Sequence, residues 1–176
     1  MDGAGMICPD CGYDNYQGEE VCERCLHDLT QVDTAPRPKN EMHRHIIEDP
    51  VSRLNPAAHL LSCKPGDKVS DVIESMKKQR LGCVVIEDNR RLIGVFTERD
   101  VVMKLTGKPV DPRVTPVRAL MTSPAESVKS TDSIAYVLNK MSIGGYRHVP
   151  IADESGRATG VVSVRNILEY LAAQIH

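Results

Sequence analysis

The sequence predicts a mixed α/β (α+β) fold, in which two copies of a strand–helix–strand–strand–helix (βαββα) unit related by a pseudo-twofold follow a small four-cysteine ribbon. Two observations carry this. Shifted by 66 residues, Glu87 to Asp100 falls on Asp153 to Asn166, so that an acidic turn, an arginine, Gly-Val, a hydroxyl residue and a second arginine return in the same places. Internal repetition of this length means two copies of one supersecondary unit. The second observation is the pair Cys8-Pro-Asp-Cys11 and Cys22-Glu-Arg-Cys25, whose spacing suits one metal-bound ribbon.

Composition sets the outer limits. At 176 residues and 41% hydrophobic, the chain can bury a real core. No stretch approaches the roughly 20 apolar residues of a membrane span. Met1 to Gly5 has neither a basic nor an apolar signal region, which gives a cytoplasmic expectation without membrane attachment. The net charge of −2 is unevenly spread: residues 1–30 carry seven acidic side chains against one basic, and the remainder 21 basic against 17 acidic.

Residues 1–30 read as a zinc ribbon. Each Cys-x-x-Cys turn presents two thiolates, and two such turns close a tetrahedron around Zn²⁺ through Cys8, Cys11, Cys22 and Cys25. Two disulfides are the alternative, and a reducing compartment disfavours them. Four thiolates leave no open coordination position, so the metal is expected to be structural. With few large apolar side chains, the segment depends on metal for folding free energy on the order of 10 kcal/mol. Residues 31–49 read as a linker, punctuated by Pro36 and Pro38. His43 and His45 within it are expected to be solvated rather than metal-binding.

Residues 50–109 and 110–176 are the two repeats. In each, a short strand (near Leu60–Cys63 and Glu126–Lys129) precedes an amphipathic helix, with Val69, Val72, Ile73 and Met76 on one face in the first copy and Ile134, Val137, Leu138 and Met141 in the second. A hairpin follows, Cys83–Glu87 with Arg91–Phe96 and Val149–Ala152 with Arg157–Val162, and then a closing helix. That helix carries Val101, Val102 and Leu105 in the first copy and Ile167, Leu168 and Leu171 in the second. Cys63 and Cys83 read as core thiols, and Met76, Met103, Met121 and Met141 as core fillers.

The strand-to-helix turn is the candidate site. Thr97 can cap the helix and Asp100 reach back to it, which is an ordinary capping box. A hydroxyl, a carboxylate and free backbone N–H groups in one volume also suit a ribose and a phosphate.

Gly-hydrophobic-x-Ser/Thr-x-x-Asp at this turn, with Leu92-Ile-Gly-Val-Phe-Thr-Glu-Arg-Asp100 and Arg147-His-Val-Pro-Ile151 in order, resembles a tandem pair of cystathionine β-synthase (CBS) domains, the Bateman module, from about Pro50 onward. The resemblance implies two clefts that bind adenosine-containing ligands (AMP, ADP, ATP or S-adenosylmethionine). It implies a ribose held by Asp100, a phosphate or ribose contact from Thr97, phosphate neutralised by Arg99 and a ring contact from Val95. Ala125, Glu126, Tyr146, Arg147 and His148 would supply the opposite wall; His148 reads equally well as a packed structural residue. The second cleft would combine Val161, Ser163, Arg165 and Asn166 with Leu61, Arg80 and Leu81. Asn166 departs from the motif, and a neutral acceptor is about half as strong as a charged one, so this cleft is expected to be the weaker.

No nucleophile is paired with a base, and catalysis has no visible machinery. The expectation is a non-enzymatic regulatory protein that senses an adenine nucleotide, pairs as a homodimer and meets an unidentified protein partner through the ribbon. The alternatives are a nucleic-acid-associated regulator, against which the acidic ribbon argues, and a structural scaffold with vestigial clefts.

Overall fold

The computed structural model describes residues 6–16, 19–29 and 40–174, so most of the expected linker lies outside the described residues. The chain divides into two compact units, Met1–Arg44 and His45–His176. In the first, β1 (Met6–Ile7) pairs antiparallel with β2 (Asp14–Asn15). Buried Met6, Cys8, Cys22 and Leu29 make its small core.

The end of the expected linker is a helix, α1 (Glu41–Glu48), opened by Asn40, whose Oδ1 accepts from the His43 N–H at 2.8 Å. His45 is not solvated. Its Nδ1 lies 2.6 Å from Asp49 Oδ2, which also accepts from the Tyr170 hydroxyl at 2.6 Å, while Arg53 Nη1 lies 3.2 Å from Asp49 Oδ1. Burial opposes ionisation of Asp49, yet the Tyr170 and His45 hydrogen bonds and the Arg53 charge outweigh it and hold the carboxyl below its usual range.

In the first repeat β3 (Ser62–Cys63) runs parallel to β4 (Cys83–Asp88), which pairs antiparallel with β5 (Arg91–Thr97). Helix α2 (Val69–Gln79) buries Val69, Val72 and Met76 against Val84, Ile86 and Phe96, and α3 (Glu98–Lys104) follows β5 directly. The second repeat has α4 (Ile134–Gly144), the hairpin of β6 (His148–Ala152) and β7 (Ala158–Ser163), and α5 (Val164–Ala173). Its first strand shrinks to one parallel bridge, Val128 with Ile151, after which Lys129 N–H donates to Asp132 Oδ2 at 2.7 Å, as Lys64 N–H does to Asp67 Oδ2 at 2.8 Å after β3.

Each repeat completes the other's core. Val51 is fully buried among Ile134, Val137, Val149 and Ile151 of the second repeat, and Val117 among Val69, Val72 and Phe96 of the first. The backbone is exchanged in the same sense: Val51 N–H donates to Asp132 O at 2.9 Å and Val117 N–H to Asp67 O at 2.8 Å. Cys83, Val85, Ala158 and Val161 form a third cluster that joins the two hairpins.

Some expected core positions are exposed. Val102 and Met103 are 61% and 63% exposed and Leu168 62%, because α3 and α5 each meet the core along one face only. Met76 and Met141 are buried, and Met121 packs against the first core.

Candidate functional site

Thr97 ends β5 with extended backbone (φ −127°) and caps α3. Its Oγ1 accepts from the Asp100 N–H at 3.3 Å, and Asp100 Oδ2 accepts from the Thr97 N–H at 2.9 Å and hydroxyl at 2.7 Å. The capping box is therefore realised. Asp100 Oδ1 in turn takes Lys104 Nζ at 2.7 Å and the Thr122 hydroxyl at 3.2 Å. A carboxylate offers about four acceptor positions, so those of Asp100, 7% exposed, are filled within the chain.

The second turn copies the first with one change. Asn166 Oδ1 accepts from the Ser163 N–H at 3.0 Å and hydroxyl at 2.6 Å, but its amide nitrogen lies 2.9 Å from His59 Nε2. Two acceptors cannot bond each other, so an amide donor suits a position facing a ring nitrogen. His59 was missed in the sequence. Upstream of the hairpins the repeat runs at a shift of 65, as Arg80 and Gly145 show, which sets His59 against Pro124 and gives no signal for it.

Two clefts open on these turns. The first, about 380 Å³, is lined by Val95, Thr97, Arg99 and Asp100 from one repeat and Tyr146, Arg147 and His148 from the other, with Lys104 and Thr122 added. Ala125 and Glu126 do not line it; the Glu126 carboxylate turns to Lys140 on α4 at 2.7 Å. Arg99 Nη1 donates to Gly145 O at 3.2 Å, across the repeats. The second cleft, about 600 Å³, gathers Val161, Ser163, Arg165, Asn166, Arg80, Leu81 and His59, whereas Leu61 packs into the first core. Arg165 pairs with Glu169 at 3.0 Å. Arg80 sits in the left-handed region (φ 56°) as the cap of α2, where the other repeat has Gly145 (φ 64°). That conformation costs a non-glycine residue roughly 1–2 kcal/mol, and it leaves a guanidinium at the cleft wall.

The clefts meet. Gly82, Glu98, Arg147 and His148 line both. A Cβ on Gly82 would lie 3.1 Å from the His148 ring and 3.2 Å from Glu98 Oε2, so the missing side chain is what lets these groups close on the backbone. Burial pushes the His148 pKa below its ordinary value, with Arg147 acting the same way and Glu98 against it. Burial also pushes the Cys83 thiol up to about 12, with the Asp100 charge adding to it, which leaves no thiolate at the site.

The CBS-domain model matches residues 51–107 and 117–173. The chain belongs to the CBS-domain family. It is 32% identical over 109 residues to an uncharacterized 17.7 kDa protein of Acidianus ambivalens, a match covering 61% of this chain and 65% of that protein. It is 30% identical over 103 residues to the CBS domain-containing protein CBSCBSPB3 of Arabidopsis thaliana, covering 58% of this chain and 18% of that one. Its fold is similar to that of a conserved protein from Pyrococcus horikoshii, with a TM-score of 0.64 and 23% identity over 73% of this chain and 94% of that chain. The chain thus spans less than two thirds of the length of these curated relatives. Among the described residues no helix is long and apolar enough to cross a membrane.

The cysteine cluster lies outside both CBS matches. The four sulfurs lie within 4.8 Å of one another, with Cys8 and Cys25, and Cys11 and Cys22, 3.6 Å apart. Tetrahedral Zn–S bonds of about 2.3 Å imply edges of about 3.8 Å, so this donor set fits a four-coordinate metal. The two knuckles are near copies. Gly12 N–H donates to Cys8 O, and Leu26 N–H to Cys22 O, both at 2.9 Å, with Gly12 and Leu26 at φ 71° and 60°. Buried Asn15 ties them, donating to Met6 O at 3.1 Å and accepting from the Glu23 N–H at 2.9 Å. A hydrogen bond from the His27 backbone works to lower the Cys25 pKa, but burial and hydrogen bonds with the neighbouring thiols outweigh it and push the thiol up to about 12.

Proposed function

We propose that the CBS pair is a non-enzymatic sensor of an adenosine-containing ligand, with the ribbon, holding structural Zn²⁺ on Cys8, Cys11, Cys22 and Cys25, as the arm that meets a protein partner. The observation that carries the reading is the first cleft, where a hydroxyl-capped turn from one repeat faces Tyr146, Arg147 and His148 from the other. Asp100 would hold the ribose. Because its acceptor positions are filled, a ribose hydroxyl takes the place of the Lys104 or Thr122 donor, and Lys104, released from Asp100, is free to meet phosphate. Arg99, joined to Gly145 across the repeats, would link phosphate contact to how the repeats pack, and a partner would read the change through differential affinity. The exposed apolar side chains of Val102 and Met103 on α3, Ile143 on α4 and Leu168 on α5 support pairing with a second copy; a monomer in sedimentation velocity removes that part.

A thermal-shift screen across AMP, ADP, ATP, S-adenosylmethionine and NAD, followed by calorimetry on Asp100→Ala and Asn166→Ala, tests the reading. We expect at least one compound to raise the melting temperature and Asp100→Ala to weaken its binding more than tenfold, with a smaller effect of Asn166→Ala. No shift with any compound leaves a scaffold with vestigial clefts, and the reverse order of the two variants makes the second cleft the working one.

A further inference from the structure

Glu98 occupies a position that neither capping nor the ribose contact explains. It follows Thr97 directly, its carboxylate reaches the junction where the two clefts meet, and it is the one carboxylate that lines both. Asp100 is neutralised by Lys104 at 2.7 Å and Glu169 by Arg165 at 3.0 Å, but Glu98 is not among the carboxylates held in ion pairs by the described residues. Gly82 has no side chain to shield it.

We propose that Glu98 limits the length of the phosphate chain, so that the first cleft takes a nucleoside monophosphate in preference to a di- or triphosphate. This rests on the adenosine reading above and adds what sets the choice among its ligands. With the ribose at Thr97 and Asp100, the first phosphate would meet Arg99 and Arg147 on the cleft walls and the Lys104 released from Asp100. A further phosphate placed toward the junction would meet Gly82 and His148, which bring no fixed positive charge, and Glu98, which brings a negative one. Arg147 is shared by both clefts and is already committed to the first phosphate. Glu98 is exposed, and at the effective dielectric of a protein surface a like charge beside a phosphate weakens binding on the order of tenfold. The ordinary role of an acidic residue in the first turn of a helix does not account for such discrimination, since it acts on the helix whether or not a ligand is present.

The test is calorimetry of the full chain in magnesium-free buffer at constant ionic strength, with AMP and ATP as probes, on the unaltered protein, Glu98→Gln and Glu98→Ala. Thermal melts without ligand show whether each variant is folded. The expected result is AMP bound about tenfold more tightly than ATP by the unaltered protein, and an ATP affinity raised about tenfold in Glu98→Gln with AMP little changed. Equal affinities in the unaltered protein, or a ratio unmoved by both variants, overturns the proposal while leaving the adenosine reading standing. If neither compound binds any of the three proteins, this inference falls, and the adenosine reading is decided separately by the ADP, S-adenosylmethionine and NAD arms of the thermal-shift screen.

Discussion

His148 is enclosed at the meeting point of the two clefts, with its ring against Gly82 and between the charges of Glu98 and Arg147. Burial lowers its pKa, so the folded protein favours the neutral ring, whereas the unfolded chain takes up a proton near pH 6.5. Below that pH the unfolded state binds more protons, and stability falls with falling pH. Carboxylates held below their usual range, such as Asp49 and Asp153, lose their contribution only near pH 4 and lower, so the two effects separate. We expect the melting temperature of the unaltered protein to drop between pH 6.5 and 5, and His148→Gln to flatten that part of the curve. Parallel curves would show that the ring titrates without a folding penalty.

The proposed Zn²⁺ makes the knuckles of the ribbon dependent on something outside the polypeptide. β1 and β2 hold two residues each, and four buried apolar side chains cannot offset the ordering of the segment. A strong chelator should therefore abolish the amide-exchange protection of Cys8 to Leu29 while that of α2, β4 and β5 persists. Equal protection with and without chelator, and no zinc by mass spectrometry, would show a ribbon that stands without metal. Spacing made this element readable, and the same holds for α2, α4 and both hairpins, where period-3.6 and period-2 patterns have a buried face to report. Two elements left no such trace. α1 has no buried residue, and what fixes its end is Asp49, whose partner Tyr170 is 121 residues away. The first strand of the second repeat gives way to a single bridge, which no propensity encodes. At the site, the turn residues were readable through the repeat, and Tyr146, Arg147 and His148 of the far wall through the family resemblance, which also offered Ala125 and Glu126, off the cleft. Lys104, Thr122, His59 and Glu98 were not, because each reaches the clefts from a position whose role only the folded chain sets.

At the scale of the whole CBS module, the exchange of Val51 and Val117 between the two cores makes the repeats one folding unit. Val51→Ala removes packing from the second repeat although it precedes the first, and Val117→Ala does the converse; each should cost roughly 1–3 kcal/mol. Both variants are expected to unfold residues 45–176 in a single transition, read by denaturant melts followed through probes in either repeat. Two separated transitions would mean that each half stands alone. Helix α5 has a particular place in that unit. At its start, Ser163 and Asn166 form the wall of the second cleft. Two turns on, Tyr170 grips Asp49, where the chain enters the module from the N-terminal side. A ten-residue helix bends little over that distance. One short helix thus touches both the wall of the second cleft and the Asp49 carboxylate, so any tilt of α5 that a ligand imposed at the cleft would be felt at the point where the chain enters the module.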